Sequence, residues 1–208
     1  LGILFRKKRV FIRNHYLDQQ TKIFLGLIDV FGYKLDTENF NNTERIKSNN
    51  ARMSLSINKK PNNNITFNDI YLKENKIIFM REYNPFDIKT DKILLFFHGG
   101  GYALGSVETH HNFVASMSIS LGMKIYSLEY SLSPENKFPY ALEDAKNAYL
   151  QIMQEYDNDK ILLCGDSAGA HLAASLSYDL YELNLPSPFA QILIYPMVSP
   201  SLNFESME

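Results

Sequence analysis

The sequence predicts an α/β domain built on a mostly parallel, twisted sheet with helices on both faces. Three observations carry that expectation. From residue 92 onward, strand-like and helix-like segments alternate as β-α-β-α-β-α-β, an order that right-handed crossovers turn into a parallel sheet. Ile93-Leu94-Leu95-Phe96-Phe97 is continuously apolar, as a strand covered on both faces must be. Two glycine-rich turns stand at strand carboxyl ends, Gly99 to Gly101 and Gly165 to Gly169, where reactive groups collect in such sheets.

Residues 1 to about 35 read as helical, because Leu17, Thr21, Phe24, Leu25, Ile28 and Phe31 recur at three- and four-residue steps. A second helix is expected over Asn42 to Leu55, with Thr43 as its N-cap. The polar breaker Lys59 to Asn64 divides the chain into an N-terminal helical segment, 1–60, and a core, 61–208. Ile65 to Leu72 and Lys76 to Tyr83 alternate in part and read as an antiparallel hairpin. After the strand ending at Phe97, a helix is expected from about His110 to Leu121, then a strand from Lys124 to Tyr130. Pro139 suits the first turn of a helix reaching about Tyr156. A strand from Ile161 to Cys164, a helix from Ala168 to Leu183 and a strand from Ala190 to Tyr195 complete the reading.

Composition narrows the function. The 208 residues are 45% hydrophobic and 21% charged, enough for one sizeable core. A net charge of −2 gives no reason to expect nucleic acid as a partner. The lone Cys164 rules out an internal disulfide framework and points to a reducing, cytoplasmic setting. It lies on the apolar strand before the second glycine turn, where a small buried hydrophobe is the preferred reading over a reactive thiol. Leu1 in place of methionine, and an end at Glu208 soon after an expected strand, are read as a segment open at both ends. Leu1 to Phe5 followed by Arg6-Lys7-Lys8-Arg9 fits the tail of a membrane anchor or the start of an amphipathic helix. Five residues fall far short of the roughly 20 that span a bilayer, so the helix start is preferred, and no signal peptide is visible.

The chemistry is concentrated in Gly165-Asp166-Ser167-Ala168-Gly169, which fits the G-x-S-x-G nucleophile elbow. A serine there sits on a strained strand-to-helix turn, and a side chain at Gly165 or Gly169 would strike the chain's own backbone. The helix beginning at the serine leaves its first N–H groups unpaired and aimed at the reacting atoms. Acyl transfer also needs donors for the oxygen that becomes negative in the tetrahedral intermediate. His98-Gly99-Gly100-Gly101 supplies a loop whose N–H groups can converge on one point. A phosphate cradle is disfavoured, since neither Gly-Lys-Ser/Thr nor a complete G-x-G-x-x-G follows.

With these segments stand Tyr102 with Leu104-Gly105-Ser106 and Glu108-Thr109-His110, Tyr130-Ser131-Leu132-Ser133-Pro134-Glu135, Phe138-Pro139-Tyr140-Ala141-Leu142-Glu143-Asp144-Ala145, and Ile194-Tyr195-Pro196. Together they resemble the hormone-sensitive-lipase-like branch of the α/β-hydrolase family. The resemblance covers nearly the whole chain but only about the first two-thirds of a family domain. It implies the α/β-hydrolase fold with its last strands missing, and an N-terminal cap or lid segment. It implies Ser167 as nucleophile, backbone N–H groups of Gly100, Gly101 and Ala168 as the oxyanion hole, and His98 as a structural support of the loop, not the base. Gly99 and Asp166 join His98 as motif support, Asp166 as a hydrogen-bonding brace. The implied substrate is a carboxylic ester of short or medium acyl chain, with no cofactor, no metal and no nucleic acid.

The pattern breaks after the serine. An attacking serine needs a base oriented by an acid, in the chain order Ser, Asp/Glu, His. Only His171 follows Ser167, four residues on, and the acids after it are Asp179, Glu182, Glu205 and Glu208. His171 reads as a packing histidine, not a substitute base. His110 and His111 read as exposed helix-start residues, with substrate lining as the alternative, and His15 as part of a cap helix. Asp144 and Glu135 read as structural braces, and Glu143 as an ordinary helix residue beside Asp144. No His/Cys/Asp/Glu pair has metal-ligand spacing. The expectation is therefore a serine esterase whose 208-residue chain lacks the triad acid and histidine and is close to inactive. The alternatives are a receptor-like relative that only binds a small molecule, and a truncated, poorly soluble product with an unpaired edge at 190–195.

Overall fold

The computed structural model describes residues 11–12, 15–16, 41–55, 64–72 and 75–197. The chain divides into two compact units, with the boundary between Ala51 and Arg52. In the first, β1 (Phe11–Ile12) pairs antiparallel with β2 (His15–Tyr16). This corrects the helical expectation there: His15 lies on a strand opposite Ile12. The aromatic and β-branched residues of Phe-Ile and His-Tyr favour extended backbone. Leu17 to Phe31, which carried the helical pattern, lie outside the described residues.

Helix α1 (Asn42–Leu55) forms as expected, but its cap is Asn41, not Thr43. The Asn41 side-chain oxygen accepts the N–H groups of Thr43 and Glu44 at 2.9 and 3.2 Å, pairing donors that a helix start leaves orphaned.

The core is a six-stranded sheet formed by β3 (Ile65–Leu72), β4 (Asn75–Pro85), β5 (Ile93–Phe97), β6 (Lys124–Glu129), β7 (Ile161–Asp166) and β8 (Ala190–Ile194). Their spatial order is β3-β4-β6-β5-β7-β8. The β3–β4 hairpin and the β4–β6 pair are antiparallel, and β6, β5, β7 and β8 run parallel. Side-chain alternation sends the two faces into separate cores. Leu95, Phe97, Leu128, Leu163 and Ile161 pack with Ala145, Tyr149, Leu172 and Leu176, while Leu94, Phe96, Ile125 and Cys164 pack with Val114 and Ala115. Every residue of β5 is buried, as its unbroken apolar run requires.

Among the described residues, three helices cover these faces: α2 (Val107–Leu121) on one, α3 (Tyr140–Ile152) and α4 (Ala168–Glu182) on the other. Helix α2 starts three residues earlier than its apolar spacing suggested. Ser106 and Thr109 form a capping box in which the Thr109 hydroxyl takes the place of the usual Glu/Gln. Pro139 stands at the N-cap of α3, one position before the first turn. The helix ends at Ile152; the N–H groups of Gln154 and Glu155 are held by tighter turns onto the carbonyls of Gln151 and Ile152, and the Tyr156 N–H also donates to the Ile152 carbonyl. None of the helices among the described residues is long and apolar enough to cross a membrane.

Candidate active site

The parallel strands β5 and β7 are neighbours, so the turns that follow them meet at one end of the sheet. Ser167 caps α4 with φ 52° and ψ −115°, a region that L-residues other than glycine enter only under strain. The elbow is held by backbone. The Ser167 N–H donates to the Ile194 carbonyl at 2.9 Å, and the Ser167 carbonyl accepts the His171 N–H at 3.1 Å. Close approach requires the flanking glycines. A Cβ on Gly169 would collide with the Phe97 carbonyl, and one on Gly165 with the backbone of Gly169.

The loop after β5 is held by side chains. Asp166 accepts the Gly99 N–H on one carboxylate oxygen at 2.8 Å and the Tyr195 hydroxyl on the other at 3.0 Å. His110 Nε2 lies 3.5 Å from the first of these oxygens. Burial pushes the Asp166 carboxyl up, but His110, the Gly99 N–H and the Tyr195 hydroxyl outweigh it and hold the group below its ordinary value. His98 is fully buried between two rings, stacked 4.3 Å from Tyr130 and 5.5 Å from His110. Its Nδ1–H donates to the Gly99 carbonyl at 3.0 Å, while its own carbonyl accepts the Tyr130 hydroxyl at 2.6 Å. His98 Nε2 has no hydrogen-bond partner among the described residues. Burial pulls its imidazole down to about 3, so it stays neutral.

Between these supports, Gly100 turns the chain, its carbonyl accepting the N–H groups of Ala103 and Leu104. Gly101 faces open space: a Cβ there would meet nothing within 4 Å. The N–H groups of Gly100, Gly101 and Ala168 donate to no other described residue. The next residue, Tyr102, also has positive φ, 59°, and its hydroxyl is hydrogen-bonded to His171 Nδ1 at 2.6 Å. Tyr102 and His171 line a pocket of about 220 Å³ whose walls include Ser131, Ser133, Phe138 and Leu142.

The remaining expectations sort as follows. Asp144 is buried and accepts the Ser131 N–H at 2.8 Å, bracing the loop after β6. Glu143 is an exposed residue of the first turn of α3, and Glu135 is exposed in the loop before that helix. Cys164 is buried and its thiol pushed up to about 12, an inert packing group. His110 and His111 are not exposed helix-start residues. His110 stacks on His98, and His111 Nδ1 is hydrogen-bonded to the Tyr83 hydroxyl at 3.0 Å, its ring edge-on to Phe67. Their neighbours come from distant strands, which helix position alone does not reveal. Tyr130 and Tyr195 were visible as motif residues, but their pairing with His98 and Asp166 was not. Among the described residues, none of the His, Cys, Asp and Glu side chains cluster as metal ligands.

A model of the α/β hydrolase fold matches residues 94–208. An acetyl-hydrolase of Streptomyces hygroscopicus is 37% identical over 106 residues, which are 50% of this chain and 36% of that protein. An arylesterase of Saccharolobus solfataricus is 35% identical over 133 residues, 62% of this chain and 43% of that one. The chain thus spans less than half the length of these two relatives. The solved hyperthermophilic esterase of Pyrobaculum calidifontis superposes with a TM-score of 0.73 at 30% identity, over 88% of this chain and 59% of the other. Sheet order, elbow and family match agree: the chain belongs to the α/β-hydrolase family.

Proposed function

We propose that this chain carries the nucleophile and oxyanion half of a serine carboxylic-ester hydrolase acting on small acyl esters. The carrying observation is the strained Ser167 on the turn after β7, tied through the Gly99 N–H to Asp166 bond to the glycine loop after the neighbouring strand β5, in which the N–H groups of Gly100 and Gly101, like that of Ala168, have no acceptor among the described residues. In this reading Ser167 Oγ attacks the ester carbonyl carbon and its proton passes to a base, which in the 208 residues alone is solvent water. The carbonyl oxygen becomes an oxyanion received by those N–H groups, already oriented before reaction. Collapse of the tetrahedral intermediate expels the alcohol, and water then frees the acid from the acyl-enzyme. His98, Gly99 and Asp166 act as supports of the donor loop, through the hydrogen bonds given above. The pocket beside Tyr102 and His171 is small, about 220 Å³, which favours a short ester arm. The names of the acetyl-hydrolase and arylesterase relatives favour the same substrate class.

The base is the missing part. His171 is the single histidine after Ser167, and its Nδ1 is engaged by Tyr102. An unactivated serine with an oxyanion hole still retains a small part of the catalysis. The 208-residue chain is therefore expected to hydrolyse p-nitrophenyl acetate slowly, with Ser167→Ala removing what turnover there is. Turnover unchanged in Ser167→Ala would reject Ser167 as nucleophile. Fast turnover abolished by Ser167→Ala would instead overturn the claim that the base is missing.

A further inference from the structure

Two strained turns must hold a fixed separation for the oxyanion site to exist. One carries Gly100 and Gly101, the other Ser167 and Ala168. They belong to different strands, and each has a non-glycine residue at positive φ, Tyr102 at 59° and Ser167 at 52°. Side chains link them in two places. The Gly99 N–H to Asp166 bond joins them at the base of the loop. The second link, the Tyr102–His171 hydrogen bond at 2.6 Å, lies on the far side of the glycines.

From this geometry we propose that Tyr102 and His171 are a positioning pair that locks the Gly100–Gly101 donors to the Ala168 donor. The proposal rests on the acyl-transfer reading for its functional meaning. Tyr102 directly follows Gly101, so a displacement of its ring is carried into the Gly101 peptide. His171 lies one turn into α4, and its N–H holds the Ser167 carbonyl at 3.1 Å. The pair therefore spans from one donor turn to the other through two short covalent segments and one hydrogen bond. Its rings meet edge to face, with centroids 5.9 Å apart and planes at 86°, which fixes orientation as well as distance. The Tyr102 carbonyl also accepts the Ser133 N–H at 2.8 Å, anchoring the tyrosine from behind. Burial pushes the Tyr102 phenol up to about 12, so it keeps its proton through the neutral range. Because donor placement near an oxyanion is steep in its effect, with errors of about 1 Å costing up to about a hundredfold, one hydrogen bond is enough to matter.

The test uses Tyr102→Phe, His171→Leu and His171→Asn in the 208-residue chain. Asparagine presents an oxygen or nitrogen three bonds from Cα, where the imidazole has Nδ1, so it can keep the link to Tyr102. The first readout is the amide NMR signals of Gly100, Gly101 and Ala168, which need no turnover. They are expected to shift or broaden in Tyr102→Phe and His171→Leu and to return toward wild type in His171→Asn, with the melting transition retained. The second is stoichiometric labelling by a p-nitrophenyl alkylphosphonate. The Ser167 Oγ–P bond forms, the P–O bond to nitrophenolate breaks, and the serine proton passes to solvent. The labelling rate is expected to fall about tenfold in the first two variants and to recover in the third. Unperturbed amides in Tyr102→Phe and His171→Leu would overturn the proposal, as would global unfolding by both, which would make the pair a stability element. Labelling that ignores Ser167→Ala would reject the acyl-transfer reading instead, leaving the amide result to decide the pair.

Discussion

The two turns that meet at Ser167 are built by different means. The elbow between β7 and α4 is a backbone device: a strand, a helix, one bond to β8, and glycines where no Cβ fits. The loop after β5 is a side-chain device. It is held by His98, Asp166, Tyr130, Tyr195 and the Tyr102–His171 link, all reaching across sequence. A backbone device has one solution and tolerates no added atom. A side-chain device depends on protonation and on single hydrogen bonds, so it responds to pH and to subtle substitution.

The largest way to break the comparison is Gly169→Ala. The new methyl would press into the carbonyls of Phe97 and His98, and neither backbone can yield without moving β5. Overpacking against fixed backbone is expected to cost about 3 kcal/mol or to prevent folding, read as the urea midpoint or the loss of a folded fraction. A loss under about 1 kcal/mol would mean that the elbow is less tightly determined than its contacts imply.

Next comes acidification, which strikes the loop through His98. The folded His98 imidazole is held at about 3, against an ordinary 6.5. Between those values the unfolded chain binds a proton that the folded chain refuses. The stability His98 confers is complete above about pH 6.5 and is lost as the pH falls toward 3. The slope is about 1.4 kcal/mol per pH unit, or about 2 kcal/mol between pH 6.5 and 5. His98→Asn retains a donor for the Gly99 carbonyl but cannot titrate, so its urea midpoint should change much less over that range. Equal pH dependence in both proteins would remove His98 as the cause.

A smaller effect is expected from Asp166→Asn, which bears on the seam between the two turns. The Gly99 N–H still finds an oxygen, but the charge that His110 and Tyr195 stabilise is gone. A loss of about 1.5 kcal/mol at pH 7 is expected. The depressed Asp166 carboxyl gives its stabilisation above its ordinary value near 3.8. That stabilisation disappears as the pH falls below it, so wild type and variant should converge at the acid end.

This contrast also explains what could be read from residues alone. Gly165, Ser167 and Gly169 announce the elbow because a backbone device writes its requirements at fixed local spacing. The apolar run of β5 and the alternation after residue 92 did the same for the sheet. The loop's supports were harder. His110 looked exposed because its neighbours His98 and Asp166 come from other strands, and nothing in Glu108-Thr109-His110 specifies them. The start of α2 was missed because Thr109 performs a task usually given to Glu or Gln. The cap of α1 moved to Asn41 because two polar residues two positions apart, Asn41 and Thr43, both suit an N-terminus and only geometry chooses. Phe11–Ile12 and His15–Tyr16 are too short for a periodicity to separate strand from helix.

The central claim is that Ser167 accepts an acyl group with its oxyanion held by the paired turns. Its most direct test is intact-protein and peptide mass spectrometry over a time course of exposure to p-nitrophenyl acetate, each point quenched with acid. The account predicts slow acetylation that rises toward one group per chain, located on Ser167 and absent from Ser167→Ala. Acetylation spread over lysines and tyrosines with Ser167 unmodified, or unchanged in Ser167→Ala, would contradict it.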